Sequence, residues 1–323
     1  MNASDSNSPL PVTIPTDLVR VNETLRTQYW SWVVRSETDG PRRLLDLLKE
    51  RLPHICEASW QERFDFGGIY VNGREALSDM DLPLPSKVEY YEPKFEIASA
   101  HTQFLAFKDE YVLFHDDAIA VVYKPPHLSS MPAKEQRHFS LKASLEKHFN
   151  RSVHMPSRLD VSAQGLVVVS TSSAAHAGLQ RAFESRVVHK TYRCASHVRS
   201  AWNEKLVDFN IACSHEHPVL RVASTTTGQL AQTRLAYSHS VTSEETSLYV
   251  YTANPITGRT HQIRVHAAAS GLPLCGDNFY GGTPAKYLHL VSCALKLPHP
   301  LTGTDVEVVL PEKLSPSWVW PAR

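Results

Sequence analysis

The stretch Ser157-Arg158-Leu159-Asp160-Val161-Ser162-Ala163-Gln164-Gly165-Leu166-Val167-Val168-Val169 passes from a polar loop with one acid, through a glycine, into an unbroken apolar run. Such a run reads as a buried strand, so Asp160 stands at the mouth of a strand that enters a core. Taken alone, an aspartate before a strand is an ordinary turn residue. Arg158, two residues earlier, and Gly165, which permits a tight backbone, give this one more weight.

About a hundred residues on, Thr257-Gly258-Arg259-Thr260-His261-Gln262-Ile263-Arg264-Val265-His266 packs two arginines, two histidines and a turn into ten positions. Thr260 reads as an N-cap, with a helix from His261 to Ser270, Gly271 at C′ and Pro273 just beyond. Arg259 then lies at the mouth of a helix N-terminus, where free N–H groups favour anions. Arg264 lies about one turn in, able to point back. His261 and His266 are five apart, off the spacing by which two histidines share a metal, and are expected to hydrogen-bond. An acid at a strand mouth and an arginine on another element are what holds one carboxylate ionised, if the fold brings them together. Tyr192, on the strand Lys190–Cys194, is a core residue by default and joins the site only if it stacks beside Asp160. Lys124, before Pro125-Pro126, ends a strand and is expected to be solvated.

The surrounding pattern is that of a mixed, largely antiparallel α+β domain. Strands are expected at Tyr111–Phe114, Ile119–Tyr123, Leu166–Val169, Lys190–Cys194, Val207–Ala212, Thr233–Tyr237 and Leu248–Thr252, with helices near Ser140–Phe149 and Ala174–Arg186. No βαβ rhythm and no repeat of 20–50 residues is present. Ahead of it, residues 41–94 read as a small αβ unit. Leu44, Leu45, Leu47, Leu48 and Leu52 recur at helical spacing up to Pro53, and a second helix runs from about Glu57 to Phe66. Ile69-Tyr70-Val71 leads into the hairpin signal Asn72-Gly73, and Val88–Tyr91 gives a further strand. Residues 1–40 are read as an extension, disordered in part, 95–104 as a linker, and 105–323 as the main domain.

The composition suits a soluble globular chain, with 42% hydrophobic and 20% charged residues, and no apolar run reaches the length of a bilayer span. Five scattered cysteines without a C-x-x-C pair read as reduced thiols of a cytoplasmic protein. Cys213-Ser214-His215-Glu216-His217, followed by Pro218, reads as a solvated turn, not a metal site. Net charge is zero, but residues 1–94 hold 11 Lys+Arg against 15 Asp+Glu, leaving 22 against 18 for the rest. A polyanion is therefore expected to meet the C-terminal part.

In this order the segments resemble the RluA family of pseudouridine synthases. Val121-Val122-Tyr123-Lys124-Pro125 matches its strand ending in Lys-Pro, and Arg158, Leu159, Asp160, Gly165 and Leu166 match its Arg-Leu-Asp motif and following strand. Lys190-Thr191-Tyr192 matches Lys-x-Tyr, and Gly228, Ala231 and Thr233 match Gly-x-x-Ala-x-Thr. Gly258 to His266 matches the family signature, and Gly276-Asp277-Asn278-Phe279-Tyr280-Gly281 is close to Gly-Asp-x-Leu-Tyr-Gly. Leu288-His289 and His299-Pro300 complete the set, so the likeness spans about 110–312.

The resemblance implies the pseudouridine synthase fold, a central mainly antiparallel mixed sheet, preceded by an alpha-L-type RNA-binding-like unit at 41–94. It implies isomerisation of a uridine in structured RNA, ribosomal or transfer, with neither metal nor organic cofactor; the chain is expected to act as a monomer. Asp160 would be the nucleophile, Arg264 its partner, and Tyr192 the residue that stacks on the base and assists proton removal. Arg158, Lys124, Arg259, Thr260, His261, Gln262 and His266 would contact substrate. The target must leave its stack, at a cost of about a few kcal/mol.

Five departures are present: Ser157 where the family has His, and Val161, Ser162, Ala163 and Gln164 where it has a base, an acid and Thr-Ser; these positions are expected to bear on RNA choice. The 41–94 unit carries 8 bases and 10 acids, a poor phosphate surface. The altered loop and the neutral charge motivate an alternative, an RNA-binding assembly factor or chaperone on the same fold without turnover. A glycosidase-like hydrolase would require a second carboxylate near Asp160, and none is expected there.

Overall fold

A computed structural model describes residues 28–36, 38–53, 55–66, 69–92, 108–132, 140–214, 219–242 and 246–321. The N-terminal tail, the linker expected at 95–104 and His215 to His217 lie outside them. The chain divides into two compact units: one of 108–130 and the chain from 145 on, the other of the described residues up to 92 with 131–144.

In the smaller unit, strands β1 (Gln28–Val34), β2 (Ile69–Val71), β3 (Arg74–Glu75) and β4 (Ser86–Glu92) form an antiparallel sheet in the order β1-β4-β2-β3. Helices α1 (Leu44–Arg51) and α2 (Trp60–Phe66) share its core. Leu44, Leu47, Leu48 and Leu52 are buried with Trp60, Phe64, Ile69, Val88 and Tyr90. The turn Asn72-Gly73 has φ of 51° and 77°, which both central residues of this hairpin turn type require. Strand β1 falls in the segment expected as an extension. It pairs with β4 along its whole length, and its alternating Trp30, Trp32 and Val34 pack on the core.

The larger unit is built on a nine-stranded sheet in the order β5-β6-β7-β14-β8-β13-β12-β9, with β15 also paired to β14. Its first strands are β5 (Val112–His115), β6 (Ile119–Lys124), β7 (Gln164–Ser170), β8 (His189–Ser196) and β9 (Glu204–Val207). β10 (Asn210–Cys213) and β11 (Arg221–Ser224) form a separate pair, and β12 (Thr233–Thr242) and β13 (Ser247–Pro255) extend the main sheet. β14 (Leu290–Pro298) and β15 (Asp305–Val309) close it. The helices are α3 (Leu141–Phe149), α4 (Ser173–Glu184) and α5 (Gln262–Ala269). The sheet is mixed and mostly antiparallel: of its strand pairs, β7 with β14 runs parallel. Every position of β6 and β7 is buried, the pattern of strands covered on both faces.

The strand expected at Val207–Ala212 is two strands in two sheets. The break falls at Asp208-Phe209, where the buried Phe209 gives its carbonyl to His266 Nε2 at 2.9 Å and leaves the ladder. β14, a central strand, had no forecast from the sequence. Gly165 is where it crosses β7: φ is +116°, and a Cβ there would lie 2.2 Å from the Ser292 carbonyl oxygen. Among the described residues no helix is long and apolar enough to cross a membrane.

Candidate active site

Asp160 lies in the loop before β7, its side chain 21% exposed. Arg264, on α5, is 3% exposed and brings Nη1 to 3.6 Å from Asp160 Oδ2. The two motifs, a hundred residues apart in sequence, thus meet. A second contact joins them: Arg158 Nη2 donates to Thr260 Oγ1 at 3.0 Å, and the Arg158 side chain is otherwise exposed.

The main partner of Arg264 is not Asp160. Its Nε donates to Asp277 Oδ2 at 2.8 Å and its Nη2 to Asp277 Oδ1 at 2.7 Å, a two-point fork in a fully buried place. Burial works to lower the Arg264 pKa, but Asp277, with Asp160 adding, outweighs it and the guanidinium stays charged. Its carbon lies 5.0 Å from the Phe279 ring centroid and 5.1 Å from that of Tyr280, so both rings face the cation. Asp277 is thus the second carboxylate that the sequence was not expected to supply. Both its oxygens are held by Arg264, so it anchors the cation and is not free to act as acid or base. The signal for it was present in Gly276-Asp277, beside the aromatic pair Phe279-Tyr280.

Tyr192, on β8, is 5% exposed. Burial pushes its phenol well above the usual range; the Ser292 hydroxyl works against this and the Asp160 charge adds to it. Asp160 therefore acts electrostatically on both Tyr192 and Arg264.

The helix start differs from expectation. His261, not Thr260, is the N-cap, at φ 59°, and no side chain caps it in the usual way. Gln262 instead ties down the loop ahead of the helix: its Oε1 accepts from the Arg259 N–H at 3.0 Å and from Thr257 Oγ1 at 2.7 Å. Its Nε2 donates to the Gln232 carbonyl and to Thr233 Oγ1, each at 2.9 Å. The other end is as expected, with Gly271 in the left-handed region at φ +78°.

Several expected substrate contacts are internal. His266 is fully buried, with Nδ1 on Thr233 Oγ1 and Nε2 on the Phe209 carbonyl, both at 2.9 Å. With Gln262 it ties α5 to the sheet and has no atom left for RNA. His261 bonds Tyr280 Oη through Nδ1 at 2.7 Å and stacks on Phe279 at 5.8 Å. Arg259 is partly exposed, and its Nε donates to the Leu230 carbonyl at 3.1 Å. Lys124 is not solvated. It is 0% exposed, and its ammonium donates to the carbonyls of Pro125 at 2.9 Å, Leu128 at 2.8 Å and Val161 at 3.2 Å. Burial lowers its pKa to about 7, against the pull of Asp160.

Two of the departures in the loop are inward. Ala163 is 2% and Gln164 4% exposed, and Gln164 Oε1 accepts from the Tyr123 hydroxyl at 2.8 Å. Of the residues after Asp160, Val161 faces outward, 39% exposed. Ala163 and Gln164 therefore pack the sheet and cannot read RNA, which weakens the case that the altered loop marks a protein without turnover.

Residues 118–269 match the RNA pseudouridylate synthase family. Over 215 residues the chain is 33% identical to an uncharacterized RNA pseudouridine synthase, YjbO, of Bacillus subtilis, covering 63% of this chain and 74% of that one. It is 34% identical over 209 residues to the dual-specificity RNA pseudouridine synthase RluA of Escherichia coli O157:H7, covering 62% and 92%. Among solved structures, human RNA pseudouridylate synthase domain containing 1 superposes with a TM-score of 0.55 at 23% identity, over 64% of this chain and 87% of that one, and shows the same fold. With its sheet, its motif order and these relatives in agreement, the chain belongs to the RluA family of RNA pseudouridine synthases, isomerases that act on RNA.

Proposed function

We propose that this protein converts a particular uridine in structured ribosomal or transfer RNA to pseudouridine, with Asp160 as the nucleophile. The observation that carries this is a carboxylate open to solvent at a strand mouth, 3.6 Å from a buried arginine that a second acid holds in place. A carboxylate beside a fixed cation is a competent nucleophile at neutral pH. It helps detach uracil from its ribose, and the ring turns and rejoins through carbon, with no atom gained or lost overall. Arg264 steadies the charge of Asp160, and Tyr192 flanks the flipped base and assists proton removal.

Arg158 and Thr260, bonded to each other at the surface between the two motifs, meet the RNA, with the part-exposed Arg259 next to them in the chain. The enzyme works as a cytoplasmic monomer without metal or organic cofactor. The unit at 41–94 keeps its alpha-L-like ancestry but adds little phosphate binding. Its acids outnumber its bases, and of its cations Arg43, Lys49 and Lys87 are paired with Asp79, Glu57 and Glu89.

The test is pseudouridine mapping in total RNA with and without the gene, followed by assay of D160A on the site found. D160A forms no pseudouridine yet binds the RNA within a few-fold of the parent. Product from D160A removes Asp160 from this role. RNA binding without any product from the parent protein supports the assembly-factor reading instead.

A further inference from the structure

We propose that Ser130 and Lys124 are positioning residues for Asp160, clamping the peptide units on either side of it without touching its carboxylate; this role rests on Asp160 being the nucleophile. The preceding residue, Leu159, has both its backbone groups on one hydroxyl. Ser130 Oγ accepts from the Leu159 N–H at 3.0 Å and donates to the Leu159 carbonyl at 2.7 Å. Both residues are buried, Ser130 to 3% and Leu159 to 8% exposure. The following residue, Val161, has its carbonyl on Lys124 Nζ at 3.2 Å. The other two donors of that ammonium go to Pro125 and Leu128, so Lys124 is tied into its own turn and reaches the loop with the third.

Asp160 sits between these two clamps, and its own carbonyl accepts the Ala163 N–H at 3.1 Å. Its carboxylate, in contrast, accepts no hydrogen bond from the described residues; Arg264 Nη1 at 3.6 Å is beyond that range. A nucleophile must be held within a fraction of an ångström of its attack geometry. Where no donor grips the carboxylate, the aim is set by the backbone beneath it. The far end of the loop is fixed as well, at Gly165 against the Ser292 backbone.

The choice of a lysine supports the same role. Burying an ammonium is costly, and a methionine would fill the space without that cost. The Nζ serves three carbonyls that a methionine would leave unmet, one of which belongs to the nucleophile loop. The connecting turn is itself unusual: His127 holds φ +63°, rare for a residue with a side chain, and its ring lies 5.6 Å from that of Tyr287.

The experiment measures the single-turnover rate, RNA affinity and thermal unfolding of S130A and K124M, together with a crystal structure of S130A. The rate falls by about 10- to 100-fold, the effect of misplacing a reacting group by about an ångström. RNA affinity stays within about two-fold, because the loss is confined to the chemical step. In the crystal the Asp160 carboxylate moves from its place beside Arg264. K124R, which keeps a cationic donor, recovers part of the rate.

An unchanged rate in folded S130A and K124M overturns the proposal. So does loss of rate and affinity together with collapse of the melting transition, which marks a merely structural role. If S130A does not fold, S130C, with its weak donor and acceptor, is judged by the same criteria. If the parent protein makes no pseudouridine, the nucleophile assignment falls; the S130A structure still decides whether Ser130 sets the carboxylate, an unmoved Asp160 overturning it.

Discussion

Arg264 gives two of its nitrogens to Asp277, at 2.8 and 2.7 Å, and leaves one for Asp160, at 3.6 Å. The two acids therefore serve different ends. Asp277 fixes a buried cation, and Asp160 uses it. The division follows from exposure, since Asp277 is sealed from water while a fifth of Asp160 is open.

This division predicts opposite phenotypes for two similar substitutions. D277N leaves the Arg264 charge buried without its counter-ion, at a cost of about 3 to 5 kcal/mol. D160N removes a longer, part-solvated contact and changes stability by less than about 1 kcal/mol, but abolishes turnover. Urea unfolding of both variants measures the difference; equal losses of stability would contradict the assignment of roles.

Arg158 and Thr260 form a surface contact, so R158A is expected to unfold within about 0.5 kcal/mol of the parent. Its effect falls on RNA: weaker binding, with the slope of log affinity against log salt reduced by about one. A slope identical to that of the parent would mean that Arg158 meets no phosphate.

Acid loosens the packing of His261 against Phe279 and Tyr280. Burial brings its pKa down to about 4; Asp160 and Asp277 oppose this, and Arg264 and Arg221 reinforce it. In the unfolded chain the group titrates near about 6.5. Between those values the unfolded state holds a proton that the folded state refuses. The stability from neutral His261 is thus full above about pH 6.5 and lost as pH falls toward about 4. His266 shifts the same way, so the comparison is with H261Q. The stability gap between parent and H261Q narrows over this window; a constant gap would exclude His261 as the cause.

Two glycines with positive φ should respond differently to alanine. At Gly165 the new Cβ meets backbone of β14 at 2.2 and 2.6 Å, which neither strand can relieve alone, so G165A loses more than about 4 kcal/mol. At Gly73 nothing lies within 4 Å, and G73A loses about 1 to 2 kcal/mol from its backbone conformation alone. Denaturant midpoints of the two variants separate the cases, and similar values would remove the argument from close packing.

Much of the larger unit could be read along the chain. The strands at Ile119, Leu166, Lys190 and Leu248 and the helices at Leu141 and Ser173 announce themselves by apolar period and by their punctuation. β14 did not, although it lies between β7 and β8. Its apolar run gave no clue that it would pair with two strands from distant parts of the sequence. The strand at 28–34 carried a period-two pattern, but its partner lies more than fifty residues further on.

By itself the sequence determined which residues were available for chemistry, namely one acid before a buried strand, an arginine in a polar helix start and a tyrosine on a strand. It also determined the local geometry around them, because turns, caps and alternating strands depend on neighbours a few residues apart. Only the tertiary structure decided what each side chain does. It turned Gln262 and His266 inward, buried Lys124 against the Asp160 loop, and gave Arg264 first to Asp277. Those outcomes depend on which backbone groups and charges are left without water when distant segments close together, and no spacing along the chain encodes that.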